Sequence, residues 1–259
     1  MRVAAIVEYE GTHFFGWQLQ VGARTVQGEV ERVFSKIANE PVRVITAGRT
    51  DTGVHASCQV IHFDTEVERS NYSWFRGANT LLPDDVALRW IDKVADDFHA
   101  RFSATGRWYR YVILNRPSRP ALLSGRVTHE YRPLDVEAMQ HGANFLVGKH
   151  DFSSYRTVHC QANSPVREMR RLSVTRKGDF IYIEACADAF LHHMVRNLAG
   201  VLMTIGTGER EPLWAHEVLE ARDRTLGGVT ARPDGLYLTR IEYPDQYAIP
   251  LLSPDTGLW

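Results

Sequence analysis

"VRVITAGRTDTGVHASCQVIHF", residues 42–63, sets two β-prone runs on either side of a glycine-bracketed turn. Residues 42–46 and 57–63 are rich in apolar and β-branched side chains, which predicts two strands. A helix is expected on each flank. Residues 25–38 carry Val26, Val30, Val33, Phe34 and Ile37 at helical spacing, with Thr25 as N-cap and Asn39 and Pro41 as the stop. Residues 71–82 continue as a helix until Pro83 ends it. With strands at 2–10 and 86–94, the order is β-α-β-β-α-β, a ferredoxin-like arrangement.

The order recurs downstream. Residues 107–114 form an aromatic strand, 134–147 a helix ending at Gly148, and 166–175 with 180–186 a hairpin about Lys177-Gly178-Asp179. Residues 190–205 form a helix with Leu191, Met194, Val195, Leu198, Val201, Leu202 and Ile205 on its apolar side, and 236–242 a last strand. The expected fold class is therefore α+β. It consists of two ferredoxin-like βαββαβ halves, 1–100 and 101–259, with antiparallel sheets flanked by helices and an active-site cleft between them. The second half carries two basic stretches, 115–132 and 150–165, expected to be irregular and long enough to suggest function. The tail after Pro244 is expected to be irregular.

Composition excludes several classes. At 259 residues, 44% hydrophobic and 24% charged, the chain is an ordinary globular one. No apolar run approaches the ~20 residues of a membrane span, and the first strand is too short an apolar stretch for a signal peptide. Cys58, Cys160 and Cys186 make neither a disulfide framework nor a zinc motif, which points to the reducing cytoplasm. Net charge is −1, yet residues 98–129 hold six arginines and no acid. Arginine outnumbers lysine 26 to 4. Its planar fork suits phosphate contact, although an arginine-biased, solvated surface explains the charge pattern equally well.

The turn itself, "AGRTDTGVHA", carries Asp51-Thr52-Gly53, and Asp255-Thr256-Gly257 repeats the tripeptide near the C-terminus. Aspartic proteases use paired DTG aspartates, but each such aspartate follows an apolar strand that buries it. Asp51 follows Ala-Gly-Arg-Thr, and only four residues… too few for a supporting loop… occur after Asp255. The turn lacks the phosphate-loop order of glycines and lysine. His192 and His193, adjacent on the expected helix, point about 100° apart rather than at one ion. His55, His62 and Asp64 could converge on an ion, but ordinary strand-face polar residues are the far better reading of them. What stays open for Asp51 is a lone nucleophile kept ionised by a basic neighbour such as Arg49, or a turn residue in a surface ion pair. Local pattern alone favours the turn.

A resemblance over most of the chain decides otherwise. "GRTDTGVHA" resembles the active-site motif of the TruA family of tRNA pseudouridine synthases. "YEGTHFFGWQ" (9–18) with "TVQGEVE" after it, "ATGRWYRYVILN" (104–115), "FLHHMVRNLAG" (190–200) and "ARPDGLYL" (231–238) resemble further family stretches in the family's order. The resemblance implies roles position by position. Asp51 matches the nucleophile, and Arg196 the arginine that ion-pairs it. Tyr109 matches the tyrosine lying against the target uracil, Leu236 the apolar residue closing the pocket, and Arg49 an arginine that helps extrude the base. Trp108, where a basic residue is common, and Arg232-Pro233-Asp234 depart from the family pattern without touching a catalytic position.

The resemblance further implies a cytoplasmic homodimer acting on tRNA. It would isomerise uridine to pseudouridine at positions 38, 39 and 40 of the anticodon stem–loop, with no cofactor or metal and no membrane. It implies that Asp51, Tyr109, Arg196 and Leu236 converge. A non-catalytic tRNA-binding protein on the same scaffold is the competing class.

Overall fold

The computed structural model describes residues 1–157, 160 and 162–252. Five α-helices and ten strands are present among them, most strand pairs being antiparallel, so the α+β class holds. The chain divides into two compact units. One comprises Met1–Thr105 and the chain from Tyr237 onward, the other Gly106–Leu236.

In the first unit, β1 (Arg2–Tyr9), α1 (Val26–Ala38), β2 (Ile45–Thr46), β3 (His55–Asp64), α2 (Asn71–Leu81) and β4 (Val86–Lys93) follow in that order. β1 runs antiparallel to both β3 and β4 and is buried along almost its whole length. That is why its sequence is a nearly unbroken apolar run rather than an alternating one. The far side of β3 takes antiparallel β2 at one end and β10 (Leu236–Glu242) at the other, in parallel, with Tyr237 opposite His55. The Thr25 hydroxyl accepts from the Gly28 N–H to cap α1, and Asn39 closes the helix at φ 55°. The helices cover the sheet through Phe34, Phe63 and Trp74, whose ring centroids lie 5.1–5.9 Å apart.

The second unit holds β5 (Gly106–Asn115), β6 (Thr128–Glu130), α3 (Val136–Asn144), β7 (Gly148–Asp151), β8 (Val166–Lys177), β9 (Phe180–Ala187), α4 (Met194–Gly206) and α5 (Trp214–Ala221). β5, β9, β8 and β7 pair antiparallel in that order, and β6 adds to β5 in parallel. α3 packs on β8 and α4. Leu198, Val201, Leu202 and Ile205 of α4 are all buried, as its periodicity predicts.

The structure corrects several boundaries. β3 begins at His55, not residue 57, because Tyr9, Tyr237 and Leu238 supply partners that local sequence cannot announce. α3 stops at Asn144, and the chain re-enters extended pairing at Gly148, whose φ of 118° suits glycine. α4 starts at Met194, because His193 ahead of it is left-handed at φ 62°. The two basic stretches expected to be irregular contain β6 and the second half of β7. α5 was not expected. Its signal was the i, i+4 pair Trp214 and Val218. No helix among the described residues is long and apolar enough to cross a membrane.

Candidate active site

In the first unit, residues 47–54 join β2 to β3 and carry Asp51 half-buried near their middle, with Arg49 and Thr52 exposed. The loop is fastened from two directions. From the sheet, the buried Gln59 side chain donates Nε2–H to the Gly48 carbonyl at 2.6 Å. The Thr46 hydroxyl donates to that same carbonyl at 3.2 Å. The Tyr9 phenol lies 2.7 Å from the Thr50 hydroxyl. Burial pushes this phenol well above the ordinary tyrosine range, so it remains protonated.

From the other side, residues 10–18 wrap the loop. Trp17 donates its N–H to the Thr50 carbonyl at 3.0 Å, and Gly53 donates to the Phe14 carbonyl at 3.3 Å. Within the turn, the Val54 N–H closes onto the Asp51 carbonyl at 3.1 Å. Gly16 sits at φ 79°, and a Cβ there would lie 2.7 Å from the Thr50 carbonyl oxygen. Glycine is required both for the backbone angle and for the approach. The turn is therefore a rigid mount for Asp51, not a free surface loop. His55 and His62 both turn Nδ1 toward backbone amides, those of Gly11 and Ala100, and stand far apart along β3.

The second unit carries Tyr109, Arg196 and Leu236. Tyr109 is half-buried on β5 opposite Ala185 of β9, its ring edge-on to Phe190 at 5.0 Å. Two residues on, Tyr111 is fully buried and donates its phenol to the Arg232 carbonyl at 2.8 Å. Arg196, half-buried on the first turn of α4, donates Nε–H to the Ala231 carbonyl at 2.8 Å, and the Ala231 N–H returns a bond to the Arg196 carbonyl at 3.1 Å. Beside it, buried Asn197 accepts at Oδ1 from Arg224 at 3.0 Å and from the Thr230 hydroxyl at 2.7 Å. Sequence reading missed this clamp, although an asparagine on an apolar helix face was a visible signal. Leu236 is buried directly after a short 3-10 turn over Pro233–Gly235. His192 and His193 precede α4 instead of lying on it, with ring centroids 4.2 Å apart, so the helical 100° separation does not apply to them.

Two neighbouring arginines on β8 are exposed for a local reason. β8 shifts register against β9 between Met169 and Arg171, leaving Arg170 as an extra residue. The bulge exposes two consecutive arginines on one strand. The second DTG, Asp255-Thr256-Gly257, lies outside the described residues.

The model of the PseudoU_synth_1 family, described as tRNA pseudouridine synthase, matches residues 5–103 and 143–244. A tRNA pseudouridine synthase A from Nitrosococcus oceani is 57% identical over 259 residues, covering 100% of each chain. The protein of the same name from Methylococcus capsulatus is 55% identical over 249 residues, 96% of this chain and 92% of that one. That from Alcanivorax borkumensis is 55% identical over 250 residues, 96% and 94% of the two chains.

Proposed function

This chain belongs to the tRNA pseudouridine synthase family, isomerases of uridine in tRNA, and from that premise we propose that it acts at positions 38, 39 and 40 of the anticodon stem–loop with Asp51 as its nucleophile. The observation that carries this reading is the mounting of Asp51 on a loop tied at Gly48, Thr50 and Gly53 within a family match spanning both units. A surface turn has no need of such fastening.

The chemistry breaks the N-glycosidic bond, turns the uracil and rejoins it through carbon. Atoms and electrons balance within the substrate, so the reaction calls for no cofactor. The target base leaves its stack at a cost of a few kcal/mol. Stacking on Tyr109 returns about 1–3 kcal/mol of that, and Arg49 aids the extrusion. In this reading Arg196 is the partner that orients the Asp51 carboxylate, its own guanidinium held at Nε by the Ala231 carbonyl. Leu236 helps wall a water-poor pocket in which the detached base turns. Exposed arginines such as Arg170 and Arg171 grip phosphates and position the RNA by shape. The order β1-α1-β2-β3-α2-β4 supports a ferredoxin-like description of the first unit, and the second is read as its counterpart. The working form is a cytoplasmic homodimer, on the family resemblance.

Incubation with tRNA tritiated at uridine carbon-5 tests this reading. Release of tritium is expected from the intact protein and not from Asp51→Ala. Release that survives Asp51→Ala would remove Asp51 as nucleophile, and tRNA binding with no release from the intact protein would indicate a non-catalytic binding module.

A further inference from the structure

We propose that Gln59 and Tyr9 are positioning residues for the Asp51 nucleophile, acting through Gly48 and Thr50. The inference rests on the isomerase reading above and adds to it the groups that set the nucleophile's direction.

Hydrogen-bond chemistry fixes the sense of the Gln59 amide. The Gln59 Nε2 atom lies 2.6 Å from the Gly48 carbonyl oxygen and 3.4 Å from the Tyr9 phenol. Reversing the amide would put two acceptors face to face at Gly48, so nitrogen occupies that side. The Tyr9 oxygen thus accepts from Gln59 and pairs with the Thr50 hydroxyl at 2.7 Å, where either hydroxyl can serve as the donor. The Thr50 carbonyl is held separately by the Trp17 N–H at 3.0 Å. With both its side chain and its carbonyl tied, Thr50 fixes the peptide plane that leads into Asp51. That plane sets the direction in which the Asp51 side chain leaves the backbone.

Stability alone does not account for these residues. Gln59 is fully buried on β3 between Cys58 and Val60, and Tyr9 is buried at the end of β1. Burying an amide costs free energy unless its polar atoms are paired. Among the described residues, Gln59 Oε1 has no hydrogen-bond partner, so the side chain is satisfied only on the side that faces the loop. A half-satisfied buried amide is a worse core residue than an apolar one of equal volume. What it provides is a donor aimed at Gly48 and Tyr9.

The test is Gln59→Met, which keeps the volume and removes the donor, beside Tyr9→Phe, Thr50→Val and Thr50→Ser. Gly48 retains the Thr46 hydroxyl in every variant. Tritium release at saturating tRNA, KM and thermal midpoint are measured for each. Gln59→Met is expected to keep the wild-type midpoint or raise it, while kcat falls about tenfold to a hundredfold with KM within about twofold. Tyr9→Phe and Thr50→Val should match that fall in kcat. Thr50→Ser should recover most of it, and Tyr9→Phe combined with Thr50→Val should be no slower than the slower single variant. Wild-type kcat in both Gln59→Met and Tyr9→Phe would overturn the inference, as would losses confined to KM or in step with a lowered midpoint. No release from the wild-type protein would instead overturn the isomerase reading, and this inference with it.

Discussion

Gly11 donates its backbone N–H to Nδ1 of His55 at 2.9 Å, joining the stretch after β1 to the first residue of β3. A nitrogen that accepts from an amide carries no proton, so the Glu10 carboxylate 3.4 Å from the same atom is a neighbour and not an ion-pair partner. The approach that allows this bond leaves no room for a side chain, since a Cβ on Gly11 would overlap the Val54 carbonyl oxygen. Backbone cannot move aside as a flexible side chain can. Gly11→Ala is expected to destabilise the protein by more than about 2 kcal/mol, read as a lowered urea midpoint. A midpoint equal to wild type would show that the two segments separate freely.

The acceptor role of His55 can be removed without removing its ring. The imidazole stacks on Tyr237 at 4.5 Å with 20° between planes, and it is buried. Phenylalanine preserves that contact but leaves the Gly11 N–H without its acceptor. His55→Phe should cost about 1–3 kcal/mol, the desolvation penalty of an unpaired buried donor. Equal stability would mean that stacking, and not the hydrogen bond, is what the position supplies.

Much of this was legible before the structure, for identifiable reasons. α1 could be read to the residue because Thr25, Asn39 and its apolar spacing are all local signals. The family was legible through the frame around Asp51, while local pattern pointed to a plain turn. Illegible features depended on partners distant in sequence. His55 is a strand residue because Tyr237 lies beside it, 182 positions away by number. The stretch "YEGTHFFGWQ" was recognisable, but its work of holding residues 50–54 emerges only where Phe14 and Trp17 meet the loop. Gln59 looked like one more strand residue because sequence does not say which way an amide faces.

In the second unit, Thr230 is the joint of the clamp beside Arg196. Its hydroxyl donates to Asn197 Oδ1 at 2.7 Å and accepts from Arg224 at 2.8 Å. The next residue, Ala231, holds the Arg196 guanidinium through its carbonyl. Thr230→Val keeps the shape and deletes both bonds. A loss of about 1–3 kcal/mol in stability is expected, with kcat for tritium release falling more than KM rises. Unchanged kcat would separate the clamp from Arg196 function.

Acid should weaken the protein through His62. The ring is buried, accepts the Ala100 N–H at Nδ1 at 3.1 Å, and faces Arg2, His99 and Asp64. Burial first, then the Arg2 and His99 charges, lower its pKa from 6.5 to about 4, with Asp64 opposing. The folded state thus keeps His62 neutral where the unfolded chain already takes up a proton. Because the folded value is depressed, stability is full above pH 6.5 and declines as pH falls toward about 4, where the folded state protonates too. Between about pH 7 and pH 5 the loss should approach roughly 2 kcal/mol, at about 1.4 kcal/mol per unit. His62→Gln retains an acceptor for Ala100 but cannot titrate, so its stability should change less over that interval. Urea midpoints of both proteins at the two pH values decide the matter, and an equal decline in both would assign the acid sensitivity to other groups.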